Sequence, residues 1–223
     1  MNPAQVHANA QSPGQPAPDI AGHQAGEFGM WVFIASEILF FGGLFVAYAW
    51  GRAAFPEGFA QASRHTNVWL GSVNTAVLLS SSVLVALAAL AAEDDSHRHA
   101  RPCGRLLLGA AFLGLLFLAL KAIEYGMDWR EHLVPGPDFF SADGERPREG
   151  AQLFFAIYFV ATGLHGVHVA IGVTWLGFLG LGFTRRKPWA DRTRTHVAGL
   201  YWHFVDAVWV LLYPLLYLVE RHA

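Results

Sequence analysis

Polar and apolar positions in this chain fall into long blocks rather than alternating. Five apolar runs stand out, at residues 28–50, 67–92, 104–125, 152–183 and 198–219. Each reaches the roughly 20 residues that a helix needs to cross a hydrocarbon core. Because a segment in lipid must satisfy its own backbone, such runs predict helices. The expected fold class is therefore all-α: a polytopic integral membrane protein with a bundle of five transmembrane helices over 28–219. Residues 1–27, with "AQSPGQPAPD", have neither an apolar core nor a basic start and read as a disordered tail. Residues 126–149, with "VPGPDFF" and "DGERPREG", read as a polar cap, and 220–223 as a short terminus. The fourth run, about 50 Å long as a helix, exceeds the bilayer and should tilt or project. Its Gly163, Gly166, Ala170 and Gly172 predict a face that another helix can approach closely. Pro214 predicts a kink in the fifth helix near Val210, where a backbone hydrogen bond is lost. No internal repeat points to duplicated halves.

Composition agrees with a lipid setting: 54% of the 223 residues are hydrophobic and 14% charged, whereas soluble domains are about a quarter charged. The single cysteine, Cys103, excludes an intrachain disulfide and the cysteine-rich redox modules. The net charge of -2 says little, but the cations are unevenly placed. Eight Lys and Arg residues lie between spans two and three or four and five, five of them in "TRRKPWADRTR", against six on the opposite side. The positive-inside rule then places the N-terminus in the cytoplasm and the C-terminus outside. Trp50, Trp69, Trp129 and Tyr217 would mark the outer interface.

Polar residues inside the runs carry more information, because ionisable groups at membrane depth are costly and face protein or water. Glu37 lies near the middle of the first span. Asn74 and Ser81 share a face of the second, beside Thr75, Ser80 and Ser82. Lys121 and Glu124 are three apart in the third, His165 and His168 in the fourth, and His203 and Asp206 in the fifth, so each pair shares a face. Glu37 is expected to be hydrogen-bonded, with Ser or Asn of the second span as its partner. Lys121 is expected to pair with Glu124 or to extend outward.

Three readings fit this array. His165, His168 and His203 with Asp206 can be ligands, since neutral imidazole binds haem, copper and zinc; the chain is then an independent haem or metal redox protein. Glu37, Glu124 and Asp206 can form a proton path. Finally, the polar groups can hold helices together, with His203 and Asp206 satisfying each other and nearby Tyr, Trp or Ser, at about 0.5 to 2 kcal/mol per bond.

The strings "GMWVFIASEILFFGGLF", "NTAVLLSSS", "KAIEYG", "ATGLHGVHVAIG" and "YWHFVDAVWVLLYPLLYL" resemble, in order, successive helices of subunit III of the haem-copper respiratory oxidases. The resemblance covers about residues 28–219 and is to the five-helix bacterial form. The longer form has two further helices that make one wall of a lipid-filled cleft, so an equivalent cleft here would be completed by lipid or another subunit. The resemblance implies a non-catalytic subunit of a proton-pumping cytochrome c oxidase in a bacterial plasma membrane. Such a subunit binds no haem or copper itself, stabilises the catalytic subunit, holds phospholipid and supports proton uptake during oxygen reduction to water. Its implied partners are the haem- and copper-bearing subunit I and the electron-entry subunit II, with no nucleic acid. Glu37 matches the family's intramembrane glutamate, Glu124 its "EY" pair, His165 and His168 its "TG-x-HG-x-HV" histidines, and Tyr201, Trp202, His203 and Asp206 its "YWHFVD" string. On this reading Glu37, Glu124 and Asp206 are buried polar or proton-uptake groups, and Asn74, Ser81, His165, His168, Tyr201, Trp202 and His203 packing or lipid-site residues. Similar subunits accompany quinol oxidases and nitric oxide reductases. The segment "EYGMDWREHLVPGPDF" is more similar to the cytochrome c oxidase type.

Overall fold

A computed structural model describes residues 20–92, 100–136, 139 and 147–218, without the side chains of 20–25 and 100. The chain forms α1 (Ile20–Ala54), α2 (Pro56–Arg64), α3 (Val68–Ala92), α4 (Ala100–Arg130), α5 (Ala151–Thr184) and α6 (Arg192–Tyr213), then a π-helical turn at Pro214–Leu218. There is no strand among the described residues. Among the described residues, five helices are long and apolar enough to span a membrane: Gly26–Ala54, Val68–Ala92, Arg101–Arg130, Ala151–Thr184 and Arg192–Leu218. The protein is an all-α, multi-pass membrane bundle.

α1, α4 and α5 extend past their apolar runs and α6 begins before its own, since helical hydrogen bonding does not stop where hydropathy falls. α1 begins at Ile20, inside the segment expected to be a tail; residues 1–19 and 219–223, and most of 137–146, lie outside the described residues. α3, α4 and α5 pack as consecutive neighbours, and α6 lies across α3 and α5. α1 rests on α5 and α6 and is peripheral: 17% of its most apolar window is buried, against 50% for α6.

Small residues set the closest approaches. The six-membered ring of Trp202 lies between Gly114 on α4 and Gly172 on α5, where an added Cβ would meet it at 2.7 Å at either position. The expected small-residue face of α5 is thus split. Gly172 is filled by Trp202, whereas Gly163 has no neighbour nearer than 3.7 Å to such a Cβ and Ala170 is exposed.

α2 is an element that apolar-run reading does not find, because it is nine residues long and amphipathic. Pro56 starts it, where a missing N–H costs nothing. It turns Phe59, Ala62 and Ser63 inward. Its other side meets the approach to α5: Glu57 pairs with Arg148, and the Arg148 N–H donates to Gln61 Oε1 at 2.9 Å.

α6 stays α-helical to Tyr213, so the irregularity falls at Pro214 and beyond rather than a turn earlier at Val210. The wider turn accommodates the ring. It also presents carbonyls that helix ends leave unsatisfied: Leu215 O accepts from the Tyr48 hydroxyl of α1, and Leu216 O from Thr66 Oγ1 at 3.5 Å.

Candidate functional site: buried polar groups between the helices

The intramembrane polar residues do not converge on one centre. They divide into three groups.

The first joins α1 to α5. Glu37 Oε2 lies 3.3 Å from His168 Nε2, with side-chain exposures of 18% and 12%. The partner of Glu37 is therefore a histidine of α5 and not Ser or Asn of the second span, because α1 packs on α5 and α6. His168 Nδ1 is 2.9 Å from the Leu164 carbonyl of the preceding turn. A carbonyl only accepts, so Nδ1 carries a proton. One further proton then suffices for the contact between Nε2 and Oε2, whether imidazolium meets carboxylate or carboxylic acid meets imidazole. Phe33 and Phe41 flank the imidazole, and Tyr201 Oη donates to the His168 carbonyl at 3.0 Å.

The second group is denser and joins α4, α5 and the C-terminal turn. Lys121 is buried, not extended outward, and its ammonium donates to Glu124 Oε2 at 3.0 Å, Tyr158 Oη at 3.1 Å and Tyr217 Oη at 2.9 Å. Three N–H donors meet three oxygens, which is what a buried ammonium needs. Tyr217 Oη donates to Glu124 Oε1 at 2.6 Å. Tyr158 Oη has two carboxylate acceptors, Glu124 Oε1 at 3.1 Å and Asp128 Oδ2 at 3.3 Å. The Lys121 ammonium also lies 4.9 Å from the Tyr158 ring centroid and 5.5 Å from that of Trp209. Tyr217, expected at the lipid interface, is fully buried here, because the π-helical turn carries it inward. Trp50, Trp69 and Trp129 are exposed.

Sequence reasoning missed Asp128 and Tyr158. Asp128 lies four residues after Glu124 and seven after Lys121, so helical spacing alone puts all three on one face. Nothing in "FFAIYFVATG" distinguishes Tyr158 from a packing aromatic.

The third group is the seam between α3 and α6. Trp202 Nε1 donates to Ser81 Oγ at 3.0 Å, Trp209 Nε1 to Thr75 Oγ1 at 3.0 Å, and Ser72 Oγ lies 2.7 Å from Tyr213 Oη. His203 Nδ1 lies 2.9 Å from Ser82 Oγ. His203 and Asp206 do not satisfy each other, since Ser82 of the facing helix takes the imidazole. His203 is exposed on the bundle surface, whereas Asp206 is buried, and its Oδ1 has no hydrogen-bond partner among the described residues.

His165 and His168, though three apart, diverge. His165 is fully buried, stacked on Trp209 with ring centroids 5.1 Å apart and edge-on to Phe117 at 5.6 Å. Both its nitrogens, and both polar side-chain atoms of Asn74, have no hydrogen-bond partner among the described residues. His165, His168 and His203 thus meet a tryptophan, a glutamate and a serine respectively. No three His, Cys, Asp or Glu side chains among the described residues are placed to hold a metal ion.

A sequence-family profile described as cytochrome c oxidase subunit III matches residues 19–220. The chain is 31% identical to a cytochrome c oxidase subunit 3 of Thermostichus vulcanus, covering 86% of this chain and 87% of that one. It is 30% identical to a cytochrome bo(3) ubiquinol oxidase subunit 3 of Pseudomonas aeruginosa, over 86% of this chain and 84% of that one. It is also 31% identical to part of a heme-copper oxidase subunit I+III of Aeropyrum pernix, over 85% of this chain and 22% of that longer protein. Five spanning helices with their polar groups between them, together with matches over most of the sequence, establish that the chain belongs to the cytochrome c oxidase subunit III family of the haem-copper oxidases.

Proposed function

We propose that the chain is the accessory, cofactor-free subunit III of a bacterial cytochrome c oxidase. It stabilises the haem- and copper-bearing catalytic subunit beside the electron-entry subunit, holds phospholipid, and supports proton uptake as the complex reduces oxygen to water and pumps protons. It lies in the plasma membrane with the N-terminus cytoplasmic and the C-terminus external. The observation that carries this reading is the separation of His165, His168 and His203 onto different partners within a subunit III fold. The paired polar groups join one helix to another, which suits a scaffold and not an independent haem or metal protein. The Glu37–His168 pair is the group suited to proton exchange, and the Lys121 cluster is a packing node.

Two measurements test the proposal. The chain expressed alone should show no stoichiometric metal and no Soret band; either would overturn the accessory role. Affinity purification from native membranes should bring down a large haem-copper chain and a soluble-domain subunit with dinuclear copper. A quinol oxidase partner without that copper centre would favour the second reading, which the similarity to a ubiquinol oxidase subunit supports.

A further inference from the structure

At the opposite end of the bundle from the Lys121 cluster, the first turn of α4 meets the last turn of α5. A Cβ on Gly104 would lie 2.8 Å from the Gly180 carbonyl and 3.0 Å from the Thr184 N, so the two helix ends touch through backbone. This contact places Arg101 and Arg105 of α4 at the same end of the bundle as Arg185, Arg186 and Lys187, which follow α5. All five are exposed. None makes an ion pair with a described residue; the described carboxylates at this end are Glu27 and Asp191, and Asp191 caps α6 and faces Arg194.

The turn that carries three of these cations is held in a defined shape. Arg186 adopts φ 51, and the Lys187 N–H donates back to Gly182 O at 2.9 Å. Trp189 then folds over Gly182 and stacks flat on Phe178, centroids 4.3 Å apart and planes 12° apart. Phe178 is 61% exposed. An indole lying on an exposed apolar ring marks the depth of a membrane interface. Arg185, which caps α5, lies four and seven residues after Leu181 and Phe178, and on α4, Phe112 lies seven after Arg105. Arg105 and Arg185 therefore stand at the ends of helical rows that carry exposed aromatic rings, Phe112 on α4 and Phe178 on α5.

We propose that this surface binds an anionic phospholipid of the bilayer, its phosphate on the Arg101, Arg105 and Arg185–Lys187 cations and an acyl chain along the Phe178 and Phe112 rows. This deepens the lipid-holding part of the function proposed above and uses none of the Glu37 or Lys121 machinery. A soluble polyanion would use the cations alone, whereas the apolar rows beneath them fit an amphiphile. Guanidinium groups match phosphate oxygens in bidentate geometry.

The test uses the intact complex in nanodiscs of phosphatidylcholine doped with diphosphatidylglycerol, with retained lipid counted by native mass spectrometry. Wild type should keep diphosphatidylglycerol in preference to phosphatidylcholine. The Arg185→Gln/Arg186→Gln/Lys187→Gln variant should bind it on the order of 100-fold more weakly, each surface cation contributing roughly a factor of five. Arg185→Lys/Arg186→Lys keeps the charge but loses the bidentate geometry, so it should bind more weakly than wild type yet clearly more tightly than the triple Gln variant, which separates lipid loss from misfolding. Equal retention by wild type and the triple variant overturns the proposal. So does equal protection of wild type against thermal loss by inorganic phosphate, which would mean a simple anion site. Crosslinking of these residues to an acidic segment of another subunit, with no lipid retained, also overturns it. The same measurement on the full chain alone in nanodiscs reports on the lipid site even if the proposed partners are wrong.

Discussion

Glu37 of α1 and His168 of α5 meet 3.3 Å apart inside the membrane, and a Leu164 carbonyl fixes which ring nitrogen faces the carboxyl. The pair fastens the most exposed helix of the bundle to its core. With Nδ1 committed to Leu164, Nε2 needs a donor or must itself carry a proton. Glu37→Gln supplies an amide N–H donor without an exchangeable acid, so assembly and haem content should stay normal. Glu37→Ala leaves Nε2 unpaired at about 1 to 3 kcal/mol and should loosen retention of the subunit in detergent. Steady-state turnover and proton uptake across pH then separate glue from proton support. A selective alkaline loss in Glu37→Gln at unchanged subunit stoichiometry supports proton support; an unchanged profile rejects it.

The Lys121 cluster predicts non-additive mutational effects. Lys121→Met removes the cation that Glu124, Tyr158 and Tyr217 share. Breaking a buried pair by removing one partner costs about 3 to 5 kcal/mol. Glu124→Gln removes the charge from the other side. The double variant Lys121→Met/Glu124→Gln leaves neither charge without its mate, so it should be more stable than the sum of the single effects. Thermal unfolding of the purified chain in one detergent, followed for all four proteins, gives the coupling directly. Strict additivity would mean that the two groups act independently.

Much of the fold was legible in the sequence because lipid imposes a single length scale. Apolar blocks of the right length could only be helices, and "KAIEYG" or "YWHFVDAVW" then located polar residues within them. Apart from Lys121 with Glu124, the pairing of those residues was not legible. Spacing puts His165 and His168 on one face, yet a 60° offset is enough to aim one at Trp209 and the other at Glu37. His203 and Asp206 looked like mutual partners until Ser82 of the facing helix took the imidazole. Tyr217 read as an interface aromatic because the π-helical turn after Pro214, which rotates it inward, has no sequence signature of its own. α2 was hidden for a different reason: at nine residues it buries only one side, and it docks through Phe59 on Tyr48 and Phe154 and through Glu57 on Arg148, the last two partners lying far along the chain.

Orientation can be checked by thiol labelling, but not with the native cysteine. Cys103 is fully buried with its thiol directed to Ala88 O at 3.4 Å, so its failure to react would report burial. In a Cys103→Ser background, Glu131→Cys and Lys187→Cys place thiols at two exposed positions at opposite ends of the bundle. With the N-terminus cytoplasmic, a membrane-impermeant maleimide should label position 131 in intact cells and position 187 only after permeabilisation. The reverse pattern overturns the charge-based orientation.

His165 gives the clearest separation of scaffold from ligand. Its imidazole is 1% exposed, stacked on Trp209, and neither nitrogen has a hydrogen-bond partner among the described residues. A buried polar group with no partner costs about 1 to 3 kcal/mol. Replacing it with an apolar ring should recover part of that cost, provided shape is kept. His165→Phe adds modest volume but keeps a flat ring between Phe117 and Trp209, and His165→Leu tests the same point without stacking. Asn74→Leu applies the logic on α3, where Asn74 is fully buried and equally unpartnered. For a packing role, His165→Phe and Asn74→Leu should be neutral or stabilising in thermal unfolding, and the complex should keep its haem, copper and turnover. His165→Leu should fall slightly below His165→Phe, because it loses an aromatic stack worth about 0.5 to 1.5 kcal/mol. Loss of metal or of turnover at full subunit stoichiometry in His165→Phe would instead show that the imidazole acts through its nitrogens, and the scaffold assignment of this residue would fall.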